Sequence, residues 1–265
     1  MLMVEAESLT RCFGSFTAVS DLCLGIRAGE IFGLLGPNGA GKTTTLKMLT
    51  TLLSPTRGWA RVAGFDVRTQ ASLVRRVIGY VPQVISVDGA LTGYENLLVF
   101  AKLYDVPRSE RRERVEAALR FVGLSDAAHA LVRSYSGGMI RRLEIAQSVL
   151  HRPRVLFLDE PTVGLDPVAR RVVWEHILKL RAEQGTTVFL TTHYMEEADT
   201  LCDRVAIMHQ GRVVALGSPA ELKAGVGGDG VTLDDVFTHY TGSTLESGGS
   251  FRETFRTRRT ARRLG

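Results

Sequence analysis

A glycine-rich segment near the N-terminus carries the residue types that bind phosphate. Residues 36–43 read GPNGAGKT and fit the pattern G-x-x-x-x-G-K-[ST]. Its glycines let successive backbone N–H groups approach a polyphosphate. The Lys42 ammonium would lie on the β- and γ-phosphates, and the Thr43 hydroxyl would bind Mg²⁺. The predicted phosphate contacts are Gly36, Pro37, Asn38, Gly39, Ala40, Gly41, Lys42, Thr43 and Thr44.

Two acidic residues follow a run of four apolar residues later in the chain. Residues 155–158 read VLFL and precede Asp159 and Glu160. Four consecutive apolar residues are typical of a central parallel strand covered on both faces. Asp159 is a candidate for the magnesium shell, and Glu160 is a candidate general base for an attacking water. Paired acids also begin ordinary loops, but in a chain with a phosphate loop their position after a strand favours a functional role.

Gln83 and His193 each follow another short apolar strand. Ligands of open α/β sheets bind at the edge where the parallel strands end. Gln83 could ligate Mg²⁺ or accept from a water, and His193 could donate a hydrogen bond to a γ-phosphate. Taken singly, a solvated loop glutamine and a structural histidine are the commoner interpretations.

Two further features have a functional and a plain interpretation. Ser136, Gly137 and Gly138 open a helix, where a serine N-cap and two small residues leave a potential anion site. A plain N-cap is the alternative. Phe13 precedes a glycine upstream of the phosphate loop. It could stack on an adenine ring, or it could be a packed loop residue.

The elements that must position these residues alternate between strands and helices. The phosphate loop lies between an apolar strand and a proline-free helix. Residues 88–132 are predicted to be helical throughout and to form an inserted lobe. A capping box from Thr92 to Glu95 is predicted within it. Strands are predicted at 2–9, 19–26, 59–63, 77–81, 154–158 and 187–191, with a hairpin at 204–216 that turns at Gln210 and Gly211. Further helices are predicted at 109–122, 168–182, 194–201 and 233–240, and the segment from Gly225 onward is otherwise predicted to be loop or linker.

Bulk composition indicates a globular protein. The chain has 265 residues, 45% of them hydrophobic and 23% charged, with a net charge of +5. Six arginines among residues 251–265 supply much of that charge, so the body is close to neutral and a nucleic-acid surface is not expected. The tail could contact anionic lipid or simply solubilise the end of the chain.

Targeting and cysteine patterns limit where the protein works. No apolar run reaches the roughly 18 to 20 residues that span a bilayer. The N-terminal residues, MLMVEAESLT, lack the pattern of an export signal, so a cytoplasmic location is expected. Cys12, Cys23 and Cys202 lack zinc-site spacing and are expected to be reduced thiols, at least two of them buried.

Six segments, taken in order, resemble the nucleotide-binding subunit of an ABC transporter over roughly residues 1–240. GPNGAGKTT at 36–44 resembles the family's Walker A motif, Val81-Pro82-Gln83 its Q-loop, and YSGGM at 135–139 its signature. LFLDE at 156–160 resembles Walker B, Gly164-Leu165-Asp166 the D-loop, and His193 the switch histidine. Within the family, GYENL at 93–97 and DDVF at 234–237 resemble the separate ATPase subunits of ABC-2-type exporters of the daunorubicin-resistance type.

The resemblance implies a fold and a domain division. The expected fold class is α/β: a P-loop NTPase core, mainly a parallel sheet flanked by helices, with an antiparallel β subdomain and an inserted helical subdomain. The ABC ATPase domain is expected over residues 1–225, with the helical subdomain at about 88–150. Residues 226–265 are expected to form a C-terminal extension with a short helix and the arginine-rich tail.

The resemblance also implies an ATP-driven dimer. ATP on the Walker A motif of one copy would be covered by Ser136, Gly137 and Gly138 of a second copy, with Asp166 linking the two sites. Mg²⁺ would be held through Thr43 and Gln83 with help from Asp159, Glu160 would activate water, and His193 would contact the γ-phosphate. A separate ABC-2-type permease would dock near residues 83–104, in peripheral contact with the membrane. The alternatives are a soluble ABC ATPase acting on nucleic acid or ribosomes, and a scaffold that does not hydrolyse ATP.

The chain departs from the common family pattern at three places. Phe13 replaces a tyrosine and keeps a stacking face. Tyr135 and Met139 replace the usual leucine and glutamine of the signature, so one polar contact near the partner's nucleotide is expected to be lost. Ile140 stands where related exporters often carry a basic residue.

Overall fold

The structure is a computed structural model that describes residues 1–227 and 230–242. The arginine-rich segment at 251–265, with its two alternative roles in lipid contact and solubility, lies outside the described residues. None of the helices in the described part of the chain is both long enough and apolar enough to cross a bilayer.

A six-stranded, mainly parallel sheet forms the centre of the molecule, because its strands are apolar on both faces. The Walker A strand β3 lies in the middle, with β8 and β9 as its two parallel neighbours. Across the sheet the order is β10, β9, β3, β8, β7, β6, and only β10 is antiparallel to its neighbour. The strands are β3 (Ile31–Leu35), β6 (Ile78–Val81), β7 (Val155–Asp159), β8 (Thr187–Thr192), β9 (Arg204–His209) and β10 (Arg212–Gly217).

A second, antiparallel sheet has the order β2, β1, β4, β5. Its strands are β1 (Leu2–Phe13), β2 (Phe16–Arg27), β4 (Arg57–Val62) and β5 (Phe65–Asp66). The prediction of a loop between Leu9 and Val19 was wrong. The two strands stay paired as far as Phe13 and Phe16, so only two residues form the turn. Phe13 is therefore a strand residue at the tip of a long hairpin.

Nine α-helices occur in the described part of the chain. They are α1 (Lys42–Leu49), α2 (Ala71–Val77), α3 (Gly93–Leu103), α4 (Arg111–Phe121), α5 (Gly137–Val149), α6 (Pro167–Gln184), α7 (Met195–Leu201), α8 (Pro219–Val226) and α9 (Leu233–Thr241). The capping box of Thr92 and Glu95 is confirmed at the start of α3. Helices α2 and α8 were not predicted, and residues 88–132 are not helical throughout, since turns join α3, α4 and α5.

Three apolar clusters hold these elements together. Alternate residues of β3 face opposite sides of the central sheet, so Phe32 and Leu34 pack with the antiparallel sheet while Ile31 and Leu35 pack with α6 and α7. Helices α3, α4 and α5 form a separate cluster around Leu97, Val115, Leu119 and Leu143. This third cluster defines the helical lobe of the molecule.

Helix α9 packs against the same core as α6 and α7. Its residues Leu233, Val236 and Phe237 are almost fully buried there.

The prediction that at least two cysteines are buried was wrong, because Cys202 is buried but Cys12 is partly exposed and Cys23 is exposed. Cys23 lies on a strand of the antiparallel sheet, where alternate residues face solvent.

Candidate functional site

The Walker A residues connect β3 to α1 at the edge of the sheet where the parallel strands end. A Cβ atom at Gly36 would collide with the carbonyl oxygen of Met208, so this position requires glycine. The N-cap residue of α1, Gly41, supplies no side-chain cap. The first N–H groups of the helix therefore have no capping side chain, and together with the helix dipole they favour an anion.

Lys42 is buried at the centre of the site. Its ammonium donates hydrogen bonds to the carbonyl oxygens of Gly36, at 2.7 Å, and Pro37, at 3.1 Å. It also lies 3.1 Å from Oε1 of Glu160, and only 4% of each residue is exposed. A buried carboxylate is therefore paired with a cation that polyphosphate would attract.

The two acids after β7 are held by hydroxyl groups. Asp159 Oδ1 accepts from the hydroxyls of Thr43, at 3.1 Å, and Thr191, at 2.7 Å. The backbone N–H of Glu160 donates to both the hydroxyl and the carbonyl oxygen of Thr191, at 3.0 and 3.1 Å. Glu160 has a φ of +49°, a conformation that non-glycine residues seldom adopt. The contacts with Thr191 hold the strained residue in place, as is common at functional sites.

Gln83 and His193 complete this arrangement from neighbouring strands. The Gln83 amide donates to Oε2 of Glu160 at 3.0 Å. His193 Nδ1 lies 3.4 Å from Oε1 of Glu160, and neither ring nitrogen forms a hydrogen bond with the described residues. Since Nδ1 faces Glu160, Nε2 of this nearly buried histidine is the ring nitrogen available to a ligand.

The environment shifts the pKa values of the two acids in opposite directions. Burial raises the pKa of Asp159, and the hydrogen bonds from Thr191 and Thr43 only partly offset this effect. Burial also acts to raise the pKa of Glu160, but His193 and Lys42 outweigh it and hold that pKa below the ordinary value. Glu160 is therefore ionised at neutral pH, as a general base must be.

The structure thus brings together six of the residues singled out from the sequence. Lys42, Gln83 and His193 contact Glu160, and Thr43 contacts the adjacent Asp159. These six residues, whose two groups Thr191 joins, are called here the hydrolytic cluster. Thr191 belongs beside it and was missed. The available signal was a threonine pair at the end of an apolar strand, directly before His193.

The signature and D-loop residues lie apart from the hydrolytic cluster. Ser136 and Gly137 are exposed, and the Ser136 hydroxyl accepts from the N–H of Met139 at 3.2 Å. Asp166 is also exposed and caps α6 by accepting from the N–H of Ala169 at 2.8 Å. Within the described residues, no hydrogen bond or ion pair joins these groups to the cluster.

Close packing sets the signature beside the D-loop. A Cβ atom at Gly138 would lie 2.8 Å from that of Ala169, so glycine lets the start of α5 approach α6. Met139 and Ile140 are partly buried and pack against the core of the helical lobe, which shows how this unusual helix start meets its surroundings. The exposed edge that remains consists of Ser136, Gly137 and Asp166.

Phe13 lies at the tip of the β1–β2 hairpin with 47% of its surface exposed. The Arg11 guanidinium lies 4.6 Å from the centroid of its ring. The alternative of a packed loop residue does not fit this exposure. An aromatic ring accessible to solvent is available for stacking.

The donor groups at the site suit a hard cation. No group of three or more histidine, cysteine or acidic side chains that could hold a metal is found in the described part of the chain. Mg²⁺ at phosphate sites needs only one or two carboxylates beside the phosphates. The hydroxyl of Thr43 and the carboxylate of Asp159, joined by a hydrogen bond, satisfy that requirement.

Comparisons with known proteins agree with this geometry. The ABC transporter family matches residues 19–163. The daunorubicin/doxorubicin resistance ATP-binding protein DrrA of Streptomyces peucetius is 46% identical over 230 residues, covering 87% of this chain and 69% of the relative. The linearmycin resistance ATP-binding protein LnrL of Bacillus subtilis (strain 168) is 40% identical over 227 residues, covering 86% of this chain and 73% of the relative.

A solved structure shows the same fold in a nucleotide-bound state. It is a dimeric ATP-binding cassette in a post-hydrolysis state with ADP and Pi, and it superposes with a TM-score of 0.72 at 28% identity. The match covers 82% of this chain and 98% of that structure. The family match, the relatives and the hydrolytic cluster therefore agree: the chain belongs to the ABC transporter family, as an ATP-binding and ATP-hydrolysing subunit.

Proposed function

We propose that this chain powers an exporter of drugs, antibiotics or other hydrophobic small molecules. In this proposal it works at the cytoplasmic face of the membrane, with a separate ABC-2-type permease, as a homodimer that closes on ATP. The names of two relatives that refer to resistance against daunorubicin, doxorubicin and linearmycin support the substrate class. The dimeric nucleotide-bound cassette supports the assembly.

One observation carries the mechanism: the hydrolytic cluster is buried and assembled, whereas the signature and D-loop edge is exposed and shares no hydrogen bond or ion pair with it among the described residues. ATP bound at one cluster therefore needs a second copy to supply Ser136, Gly137 and Gly138 to its γ-phosphate. Asp166, on the same edge, would link the two sites across the twofold axis.

Within one copy the polar groups change partners when ATP binds. The Lys42 ammonium leaves the loop carbonyls for the β- and γ-phosphates, where a charge-assisted hydrogen bond is stronger. Glu160, kept ionised, accepts a proton from the attacking water, and His193 donates to the γ-phosphate. Phe13 stacks on the adenine ring.

Thr43, Asp159 and Gln83 are the groups that would hold Mg²⁺. The Gln83 amide nitrogen is bonded to Glu160, and its oxygen makes no hydrogen bond with the described residues, so it is available as a ligand. The metal ion would neutralise negative charge on the phosphates. Loss of the γ-phosphate then weakens the contacts between the two copies and reopens the dimer.

We further propose that the ATPase domain spans residues 1–225, with the helical subdomain at about 88–150 and the extension at 226–265. The separate apolar core of α3, α4 and α5 supports the subdomain. Through α9 the extension contributes side chains to the main core.

The test compares the purified wild-type chain with Glu160→Gln and with Glu175→Gln, an exposed control on α6. ATP hydrolysis is measured, and size-exclusion chromatography with and without ATP and Mg²⁺ follows the association state. Glu160→Gln is expected to hydrolyse ATP roughly 10²- to 10⁴-fold more slowly and to accumulate as an ATP-dependent dimer. The control should match the wild type. A chain that neither binds ATP nor dimerises, even with a candidate permease co-expressed, would contradict the mechanism and favour a scaffold.

A further inference from the structure

Two buried charged residues of α5 join the signature helix to the Q-loop. The Arg141 guanidinium donates to the carbonyl oxygen of Pro82 at 2.9 Å and approaches that of Gln83 at 3.5 Å. Glu144 Oε1 accepts from both the backbone N–H and the hydroxyl of Ser86, at 2.6 and 3.0 Å. These four contacts all fall on residues 82–86.

Arg141 and Glu144 also pair with each other. The Arg141 Nη1 atom lies 3.0 Å from Oε2 of Glu144, and the two side chains are 6% and 2% exposed. Burial raises the pKa of Glu144, while the Arg141 charge and the hydrogen bonds from Ser86 oppose that shift. Burying two charged groups is costly unless nearly all of their hydrogen bonds are made. The bonds to the Q-loop supply those partners.

The loop so held carries a residue of the hydrolytic cluster. The backbone of Gln83 accepts from Arg141, and its side-chain amide donates to Glu160 at 3.0 Å. A continuous set of bonds therefore runs from α5, which begins at the signature, through Arg141 to Gln83 and then to Glu160. We propose that Arg141 and Glu144 are positioning residues that fix Gln83 relative to the signature helix, so that the Q-loop and the start of α5 move as one body.

This proposal rests on the proposed function, because it matters only if Gln83 takes part in ATP hydrolysis. When a second copy engages Ser136, the displacement of α5 reaches Gln83 through Arg141 and Glu144. The position of the Gln83 amide against Glu160 then depends on the contact made at the signature. Misplacing a catalytic group by about 1 Å can reduce a rate roughly 100-fold.

Glu144→Gln is the principal test, since it keeps the shape and an acceptor for Ser86 but removes the charge that pairs with Arg141. Glu30→Gln is a matched control. Glu30 is a buried carboxylate that accepts from the backbone N–H of Arg27 at 2.6 Å and pairs with Arg204 at 2.8 Å. It lies before β3, at the opposite end of the sheet from the hydrolytic cluster.

Kinetics of ATP hydrolysis by the full-length chain distinguish positioning from general loss of stability. We expect Glu144→Gln to lower kcat roughly 10- to 100-fold with little change in the KM for ATP, since the Walker A contacts are untouched. Both variants should lower the thermal unfolding midpoint by similar amounts, because each removes one charge of a buried ion pair. Glu30→Gln, however, should leave kcat close to wild type. Equal kcat values for the two variants would overturn the proposal.

A double-mutant cycle with Gln83→Ala distinguishes positioning of Gln83 from a merely structural role of Glu144, because a structural role predicts no coupling between the two residues. If Glu144 acts through Gln83, the Glu144→Gln change should cause little further loss of kcat when Gln83 is already alanine. Fully additive losses would overturn the proposal. A fully active Gln83→Ala variant would also overturn it, and would contradict the role assigned to Gln83, whereas absent wild-type hydrolysis would contradict the proposed function.

Ser86→Ala serves as a milder second variant, in case Glu144→Gln fails to fold. It removes only the hydroxyl bond to Glu144 and keeps the backbone N–H bond. A smaller loss of kcat is expected, and it should likewise disappear in the Gln83→Ala background. A loss that persists undiminished in that background would overturn the proposal.

Discussion

The hydrolytic cluster and the exposed edge of the signature and D-loop differ in how much one chain supplies by itself. Lys42, Asp159 and Glu160 are buried, bonded to one another or to neighbouring hydroxyls, and placed before any ligand arrives. Ser136 and Asp166 are exposed and bonded only to the backbone of their own helices. The first region is assembled before a nucleotide binds, whereas the second is exposed to solvent.

The difference has a physical reason. Charges in a low-dielectric interior act strongly on a ligand, but they must be paired or hydrogen-bonded while the site is empty. The contacts of Lys42 with Glu160 and the loop carbonyls meet that need. Capping groups at a helix start, in contrast, remain solvated and carry no such requirement. In the proposed dimer, such groups need no prior ligand before they meet a second copy.

Removing the Lys42 ammonium should disrupt the hydrolytic cluster and cause the largest loss of ATP hydrolysis among these variants. Lys42→Ala is expected to reduce ATP hydrolysis roughly 10²- to 10³-fold, with weaker nucleotide binding, because the phosphates lose their buried cation. Lys47→Ala, an exposed lysine of the same helix, is the control and should match the wild type. Nucleotide titration and steady-state hydrolysis measure both. Wild-type hydrolysis by Lys42→Ala would show that the cluster is not the phosphate site.

Placing a negative charge on the exposed edge should separate dimer closure from nucleotide binding. Aspartate is as good an N-cap as serine, so Ser136→Asp should fold normally and bind ATP as a monomer. The added charge would repel the γ-phosphate held by the second copy and lower hydrolysis roughly 100-fold. Ser218→Asp, the same change at the N-cap of α8, is the control. Size-exclusion chromatography with ATP and a hydrolysis assay provide the readouts.

Mixing Lys42→Ala with Ser136→Asp sharpens the comparison further. Each variant alone has two defective sites, whereas a mixed dimer keeps one intact pair of Walker A and signature. Recovery of hydrolysis on mixing is therefore expected. Its absence, with mixed dimers demonstrably present, would contradict the arrangement in which each copy completes the other.

Phe13 is intermediate between the buried cluster and the exposed edge, because its side chain is partly exposed. It tests the proposed contact with the adenine ring. Stacking of a base on an aromatic residue contributes about 1–3 kcal/mol, so Phe13→Ala should raise the KM for ATP roughly 5- to 150-fold with little change in kcat. Phe13→Tyr should behave like the wild type. Phe16 lies across the same turn and is 63% exposed. Phe16→Ala therefore controls for damage to the hairpin. An equal effect of both alanine changes would contradict stacking.

Glu197 lies on α7, four residues after His193, and should affect stability rather than hydrolysis. Its Oε1 accepts from Thr162 and Trp174, while Oε2 has no partner among the described residues, and burial raises its pKa. The folded state thus binds this proton more tightly than the unfolded chain, so stability is lost as pH rises from the ordinary value near 4.5 through the raised value. Glu197→Gln should be more stable than the wild type at high pH by about 1 kcal/mol.

Thermal unfolding across a pH series measures this difference. The Glu197→Gln variant should show a weaker decline of the unfolding midpoint with rising pH, and hydrolysis near the wild-type rate. Parallel declines for both proteins would show that Glu197 does not carry a buried charge.

The sequence predicted that the hydrolytic residues lie together, because each stands after an apolar strand of the sheet or at its end. Asp159 is the last residue of β7, His193 directly follows β8 and Gln83 comes two residues after β6, and the ends of these parallel strands share one edge. Thr191 could not be singled out in the same way. A threonine inside a strand fits many roles, and only the neighbouring strand decides that its hydroxyl meets Asp159.

Tertiary burial explains the other failures. Arg141 and Glu144 look from the sequence like solvated charges on a helix, and nothing local shows that residues 82–86 cover them. The β1–β2 hairpin was underestimated because residues 10–13 are polar or small on one face, and they pair only because β2 continues alongside. The motifs likewise did not predict that the cluster is buried and the edge exposed, because a motif specifies residue types and not their burial.

The central position of β3 also constrains when the nucleotide site can form during protein synthesis. This strand is made early, yet both of its hydrogen-bonding neighbours, β8 and β9, lie between residues 187 and 209. Contacts so distant along the chain form late, because a long loop must close first. A nascent chain shorter than about 187 residues lacks both neighbours of the Walker A strand, and one shorter than about 204 residues lacks β9. ATP can become a stabilising ligand only after most of the polypeptide has emerged.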